Sequence, residues 1–206
     1  IVVIIDDAYF GLFYEDSLLK ESIFSSISDL HERVLAVKMD GPTKEQYVWG
    51  FRIGCITFGI KNGSSKLYSF LEAKAAGVIR GSISCASNLS QSLILEALRD
   101  ESYASEKEAK YNQLMARYRR VQTVLAENPV YEDYFKALPF NSGYFMSVRL
   151  NPQLEGERVR RLLLEKYDTG VISDSSVIRI AFSAVPENRI GTLFNNLLEA
   201  CREAAQ

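Results

Sequence analysis

The sequence predicts an α/β protein, and three observations support that prediction. The chain opens on a continuous β-branched run at residues 1–5, which is typical of a strand buried on both faces of a sheet. Segments with strand and helix character then alternate to about residue 100. A long segment with helical periodicity and a strand-helix-strand-helix pattern complete the chain. We therefore expect a mostly parallel sheet with helices, followed by a smaller α+β region.

The first hundred residues contain three predicted strands and three predicted helices. The strands are predicted at 1–5, 33–39 and 52–60, and the helices at 17–25, from Ser64 onward, and at 88–98. Ser17 or Asp16 can cap the first of these helices and Ser87-Asn88 the third, since such side chains accept a hydrogen bond from the first free backbone amides.

The second part of the chain begins with a long predicted helix at 101–127. Its apolar residues recur at i, i+3/i+4 and i+7, and they are Tyr111, Leu114, Tyr118, Val121 and Leu125. A half-buried strand is predicted at 144–150 and a second strand at 177–182, with a helix between them that ends at Asp168-Thr169-Gly170. Pro186 suits the first turn of the last helix.

Composition excludes several classes of function. The net charge is −2, so no basic excess indicates nucleic-acid binding, and no apolar run approaches the roughly 18 residues that span a membrane. The single histidine, His31, leaves no basis for a histidine triad or a histidine-based zinc site. Three widely spaced cysteines favour a reducing, cytoplasmic setting. Because the sequence starts with Ile inside a predicted strand, we expect a fragment of a longer chain.

One stretch, residues 40–54, carries most of the predicted chemistry. Lys44 stands eight residues before Arg52, and glycines flank that arginine at 50 and 54. A second stretch, Asp6-Asp7-Ala8-Tyr9, follows the opening strand, and ligands of open α/β sheets collect at the carboxyl ends of strands. An amine, a guanidinium, a carboxylate and a phenol are the groups that hold pyridoxal 5′-phosphate (PLP). The amine forms a Schiff base, the carboxylate keeps the pyridine nitrogen protonated, and the cation holds the phosphate.

The spacing Lys44-x5-Gly50-x-Arg52-x-Gly54, preceded by Asp6-x-Ala8-Tyr9, resembles the class I/II aminotransferases of PLP fold type I. Aspartate and aromatic aminotransferases are the nearest type, and the chain is similar only to the C-terminal half of such an enzyme. The resemblance implies that Lys44 carries PLP and moves a proton between substrate and cofactor. It implies that Asp6 bonds the pyridine nitrogen, Tyr9 bonds the phenolate oxygen, and Arg52 grips the phosphate.

Alternatives remain for two of these positions. Asp7 is the other candidate partner for the pyridine nitrogen, although the Asp-x-Ala-Tyr spacing favours Asp6. Tyr9 could instead pack within the aromatic cluster that follows it, which is a common environment for tyrosine.

Two further arginines would bind substrate. Arg179 resembles the family's arginine for the substrate α-carboxylate, and its apolar neighbours Ile178 and Ile180 favour a buried setting. The alternative is a strand arginine that reaches solvent. Arg80 resembles a family position that, in dicarboxylate-specific members, reaches the site of the partner subunit. An arginine at the end of a helix is also favoured by the helix dipole, so both interpretations of Arg80 stay open.

The chain departs from the family at the phosphate site. The family usually has a serine three residues before the lysine, and Gly41 stands there in this sequence. Thr43, directly before Lys44, is the hydroxyl expected to contribute instead. Three family elements that lie upstream of Ile1 are absent: a backbone loop at the phosphate, an aromatic ring stacked on the pyridine, and an asparagine near the phenolate.

The resemblance implies an aminotransferase that exchanges an amino group between an amino acid and a 2-oxo acid through PLP, as a homodimer. We expect 1–100 to be the C-terminal part of the large PLP-binding domain, 101–127 a connecting helix and 128–206 the small domain. Two alternatives remain. One is another fold type I PLP enzyme, such as a lyase, decarboxylase or synthase, and the other is a non-catalytic, aminotransferase-like domain that senses a ligand.

Overall fold

The computed structural model describes residues 1–206, which divide into two units, Ile1–Lys107 and Glu108–Gln206. Both units contain helices and a sheet, so the predicted α/β class is confirmed. None of the helices combines the length and the apolar character needed to cross a bilayer.

A three-stranded sheet forms the centre of the first unit. It consists of β1 (Val2–Asp6), β2 (Leu35–Asp40) and β3 (Cys55–Gly59), in that order, so that β1 lies at one edge. β1 pairs with β2 in parallel and β2 pairs with β3 antiparallel. All three strands overlap the runs that predicted them, although β1 and β2 each end one residue later than expected, at Asp6 and Asp40, and β3 begins three residues later. The sheet therefore contains one parallel and one antiparallel pair.

Only one face of this sheet is covered by a helix. Helix α1 (Phe24–Ser28) packs on the side of Ala36 and Gly59, where an added Cβ at Gly59 would lie 2.5 Å from Ser28 Cβ. The side chains of Val2 and Ile4 on the opposite face are 62% and 64% exposed. The expectation that the opening strand is buried on both faces is therefore wrong, because successive strand residues point to opposite faces and one face has no cover.

The helices of the first unit differ in how well the sequence predicted them. The helix expected at 17–25 is wrong, since α1 begins at Phe24. Ser87 caps α4 (Asn88–Arg99) as predicted, and Ser64 caps α3 (Ser65–Ser82); each serine accepts a hydrogen bond from a first-turn amide. Between β2 and β3 lies the single-turn helix α2 (Pro42–Glu45). Neither α3 nor α4 has a buried residue, so their apolar stripes face solvent.

The long helix α5 (Tyr103–Glu127) begins in the first unit and ends in the second. Its buried residues are Leu114, Tyr118, Val121 and Val124, which follow the helical spacing of the predicted stripe.

The second unit is built on a four-stranded antiparallel sheet in the order β4-β5-β7-β6. Its elements are β4 (Phe135–Ala137), β5 (Met146–Leu150), α6 (Gly156–Tyr167), β6 (Ile172–Asp174), β7 (Val177–Ile180) and α7 (Ile190–Ala204). The sequence predicted β5, α6, β7 and α7 but neither of the three-residue strands, β4 and β6. Pro186 precedes a short 3-10 turn, and α7 starts after that turn rather than at the proline.

The core of the chain is concentrated in this second unit. Tyr131, Phe135 and Phe194 stack with ring centroids 5.3 to 6.5 Å apart, and buried residues of α7 and β7 surround them. The first unit contributes only five buried apolar residues, Ile5, Leu12, Tyr14, Val34 and Ala36. The two units thus differ strongly in how much apolar surface they remove from water.

Candidate active site

The end of β1 presents two carboxylates in different environments. Asp6 is exposed, and one of its oxygens accepts a hydrogen bond from the Ala8 amide at 3.1 Å. Asp7 is half-buried, and its carboxylate accepts a 2.5 Å bond from the Ser22 hydroxyl. The second oxygen of Asp6 has no protein partner, so Asp6 is the carboxylate that remains available to a ligand. This geometry favours Asp6 over Asp7 as the partner of a pyridine nitrogen, and the assignment itself stays a prediction.

Lys44 and Tyr9 lie next to each other. Lys44 sits in α2, and its ammonium nitrogen is 5.2 Å from the centre of the Tyr9 ring. Both residues are half-buried, so each is partly shielded from water and still accessible to a ligand. The structure therefore brings together the proposed covalent lysine and the proposed phenol, which are more than thirty residues apart in sequence.

The segment carrying Arg52 is attached to the turn that carries Lys44. The Thr43 hydroxyl donates to the Ile53 carbonyl at 3.3 Å, and an added Cβ at Gly41 would meet the same carbonyl oxygen at 2.7 Å. Arg52 itself follows a 3-10 turn and has a left-handed backbone with φ of 54°. The expected position of Arg52 inside β3 is therefore wrong. Its exposed guanidinium donates to the Trp49 carbonyl at 3.2 Å, which fixes one end of the group.

The close approach at Gly41 gives a physical reason for the missing serine. Any side chain at this position would require the backbone of Ile53 and Gly54 to retreat, because real Cβ atoms do not approach a carbonyl oxygen to 2.7 Å. The Thr43 hydroxyl already donates its proton to Ile53. To donate to a phosphate it would have to give up that bond, so the phosphate role of Thr43 stays a prediction.

Side chains near the start of α5 contact the two residues that follow Lys44. Glu45, next to Lys44, forms a 2.7 Å ion pair with Lys107. The Tyr103 hydroxyl donates to the side-chain oxygen of Gln46. These contacts restrain both residues that follow Lys44, and no pattern in the sequence predicted them.

Arg80 contacts only its own helix end. It lies in the last turn of α3, is exposed, and donates to the Ser84 hydroxyl at 2.9 Å. Its hydrogen bond to Ser84 does not connect it to Lys44, Tyr9 or Arg52, so its substrate role rests on the resemblance alone.

Arg179 lies on β7 in the second unit. Ile178 and Ile180 are fully buried, whereas Arg179 between them is exposed, because neighbouring strand residues alternate in direction. The expectation that Arg179 is buried is therefore wrong. Its guanidinium carbon is 4.0 Å from the centre of the Phe145 ring, and it forms no ion pair. The stacked, flat guanidinium thus keeps its donors available for an anion.

Comparisons with known proteins agree on one family. The model of the family "Aminotransferase class I and II" matches residues 1–197. An aminotransferase from Anaerococcus prevotii superposes with a TM-score of 0.78 at 22% identity, over 100% of this chain and 47% of that one. No curated protein matches the sequence.

Two further solved structures have the same fold over almost the whole chain. An α-aminoadipate aminotransferase from Thermus thermophilus, solved with N-(5′-phosphopyridoxyl)-L-leucine, gives a TM-score of 0.72 at 18% identity, covering 98% of this chain and 50% of that one. Tyrosine aminotransferase from Leishmania infantum gives 0.72 at 15% identity, covering 98% and 49%. This chain spans about half the length of these proteins. By the family match over most of its length, it belongs to the class I and II aminotransferase family.

Proposed function

We propose that this chain provides the lysine, ring-binding and carboxylate-binding groups of a PLP-dependent aminotransferase that acts on an amino acid and a 2-oxo acid. The single observation that carries the proposal is the position of Lys44, a half-buried residue whose amine lies 5.2 Å from the centre of the Tyr9 ring, three residues after the end of β1. Membership of the family supports it.

The donor set at this edge fits PLP. The cofactor has an aldehyde, a pyridine nitrogen, a phenolate oxygen and a phosphate, and the chain offers an amine, a free carboxylate oxygen, a phenol and a guanidinium. When bound, PLP supplies an electron-withdrawing ring that stabilises negative charge at the substrate α-carbon. The match of four groups to four functions supports binding more strongly than any one of them does.

Each residue then has a separate task. Lys44 would hold the cofactor through its aldehyde, with loss of water, and its amine would carry the proton of the substrate α-carbon once the substrate amine has taken its place. Asp6 would keep the pyridine nitrogen protonated through its free carboxylate oxygen. Tyr9 would donate to the phenolate oxygen. Arg52 would contribute the charge opposite the phosphate, and Thr43, directly before Lys44, would contribute a hydroxyl.

Substrate recognition is assigned to the two arginines. Arg179 would bind the α-carboxylate that every amino-acid and 2-oxo-acid substrate shares, since its fork of donors matches a carboxylate in two places. Arg80 would reach the site of the partner subunit in a homodimer. Residues 1–100 would form part of the large domain, 101–127 the connecting helix and 128–206 the small domain.

Borohydride labelling tests the proposal on the chain as it stands. PLP is added in equimolar amount, the mixture is reduced, and the modified peptide is mapped by mass spectrometry. We expect the label on Lys44, because a half-buried amine beside a phenol captures the cofactor in preference to exposed amines. Lys20, an exposed surface lysine, is the internal comparison. A label spread evenly over Lys20 and other surface lysines, unchanged in Lys44→Arg, contradicts the proposal.

A further inference from the structure

A half-buried lysine lies beneath the two loops of the candidate site. Lys38 Nζ is 2.6 Å from Asp40 Oδ2 and 3.9 Å from Asp7 Oδ2. The exposed fractions of these side chains are 22% for Lys38, 12% for Asp7 and 30% for Asp40. No pattern in the sequence indicates a role for Lys38. Its two partners, however, stand immediately before the segments that carry Tyr9 and Lys44.

The register of the sheet explains why one ammonium reaches both carboxylates. Ile5 of β1 is paired with Lys38 of β2, so residues two positions further along each strand point to the same face. Those residues are Asp7 and Asp40. The Asp7 amide extends the ladder by donating to the Met39 carbonyl at 2.9 Å. Because β1 and β2 are parallel, both acids stand at the same edge of the sheet, with Lys38 between them.

We propose that Lys38 is a positioning residue that holds the Tyr9 loop and the Lys44 turn in fixed relation, by joining Asp7 to Asp40. This role rests on the proposed function, because only a PLP site requires Tyr9 to stay near Lys44. We call Lys38, Asp7 and Asp40 the lysine clasp.

Asp7 transmits this restraint to Tyr9. The Phe10 amide donates to the Asp7 carbonyl at 2.9 Å, which closes a turn that contains Tyr9. The ring of Phe10 lies 5.9 Å from the Lys38 ammonium, so the far end of the same turn also contacts the clasp. The Ser22 hydroxyl holds the Asp7 carboxylate at 2.5 Å and fixes its orientation. Tyr9 is thus held between two residues that both contact Lys38.

Asp40 transmits the restraint to Lys44. Asp40 ends β2, and Gly41 then leads directly into α2. The Gly41 backbone is pressed against Ile53, so the turn has little freedom to move independently of Asp40. A displacement of Asp40 would therefore carry the start of α2, and Lys44 with it.

The electrostatics favour a permanently charged clasp. The hydrogen bond to Asp40 raises the pKa of Lys38 above its ordinary value, against an opposing effect of partial burial. One ammonium faces two carboxylates that lie close together, so removal of the ammonium leaves like charges in a half-buried place. The surface pair Lys20–Asp16 has no such consequence, because its side chains are 62% and 104% exposed.

Hydrogen exchange on the full chain without cofactor tests the clasp directly. The variants are Lys38→Met, which removes the charge at similar length, and Lys20→Met as the matched control. The reporting amides are Phe10, which donates to Asp7, and Gln46, which donates to Pro42 at 3.0 Å. Loss of a charge-assisted contact predicts about tenfold or more faster exchange at both amides in Lys38→Met. Amides of α3 should be unchanged, and Lys20→Met should match the unaltered chain.

Rescue and labelling separate a positioning role from a general structural one. Lys38→Arg keeps the charge and should restore slow exchange at Phe10 and Gln46. Lys38→Met should also lower the rate of borohydride-fixed PLP labelling at Lys44, and Lys38→Arg should recover it. If Lys38→Met does not fold, Asp7→Asn, which removes one arm only, should still speed exchange at Phe10 more than at Gln46.

Uniform acceleration across the first unit in Lys38→Met, or identical exchange in Lys38→Met and Lys20→Met, overturns the proposal. Failure of the unaltered chain to label Lys44 counts against the proposed function alone, because the exchange measurement needs no cofactor.

Discussion

Replacing Gly156 by alanine tests the structure, because helix propensity predicts a gain in the free energy of unfolding and the packing at this site predicts a loss. It is the first residue of α6 and is buried. An added Cβ would lie 2.5 Å from the Ser173 hydroxyl oxygen and closer still to the Ser175 carbonyl oxygen. The hydroxyl can rotate away, but the carbonyl belongs to the backbone of the β6–β7 turn, where Ser175 already has φ of 52°. Gly156→Ala therefore requires that turn to move.

The magnitude follows from two opposing contributions. Replacing glycine by alanine in a helix stabilises by up to about 1 kcal/mol. Forcing an extra methyl group into a packed site costs about 1–3 kcal/mol, and a backbone neighbour places this site at the upper end. We expect Gly156→Ala to lower the free energy of unfolding of the second unit by about 1–2 kcal/mol.

Gly191 provides the matched control in the same unit. It lies in the first turn of α7, and its added Cβ would have only the flexible Arg120 guanidinium nitrogen nearby, at 3.8 Å. Gly191→Ala should raise stability by about 0.4–1 kcal/mol. Urea unfolding followed by circular dichroism measures both variants. The comparison is valid where the slope of the unfolding free energy against urea concentration is unchanged. If Gly156→Ala is as stabilising as Gly191→Ala, the close approach to Ser175 is not a real constraint and the reasoning fails.

Two further predictions concern substrate binding and thiol chemistry. In the assembled enzyme, Arg179→Lys should raise KM for both the amino acid and the 2-oxo acid by about 10- to 100-fold without loss of cofactor absorbance. The reason is that lysine keeps the charge but not the planar fork of donors. Loss of cofactor with unchanged KM would show that Arg179 serves another purpose. In the native chain, dithionitrobenzoate should react with the exposed Cys55 and Cys85 but not with Cys201, whose burial raises its pKa to about 12. Reaction of all three thiols before unfolding would contradict the buried position of Cys201.

The sequence predicted the elements that have a long or distinctive pattern. The cap at Ser87 and the apolar stripe of α5 are local signals, and each one was sufficient to predict its helix. The strands β4 and β6 were missed because three residues are too few to display a period of two. The absence of cover on one face of β1 could not be predicted either, since a β-branched run is the same whether or not a helix packs against it.

The candidate site shows the same division between local and distant information. Spacing alone suggested the chemical groups at Lys44, Asp6 and Tyr9. It could not tell which carboxylate is free, because Asp7 is occupied by Ser22, fifteen residues away. Arg52 was placed in a strand because its neighbours are apolar, yet a left-handed residue interrupts that run. The exposure of Arg179 follows from strand alternation, because a residue between two buried neighbours in a strand points to the opposite face. The apolar character of those neighbours led instead to the expectation of a buried arginine.

The edge position of β1 has a consequence for how this polypeptide behaves at high concentration. Its outer side carries backbone donors and acceptors that no neighbouring strand pairs, and Val2 and Ile4 add apolar side chains beside them. The strand contains no proline, and its one charged residue is Asp6 at its end. An apolar, unpaired edge of this kind is a template for pairing with an extended segment. Strand addition, whether by a companion segment of the same sheet or by another molecule in intermolecular β-aggregation, is therefore the natural fate of this edge.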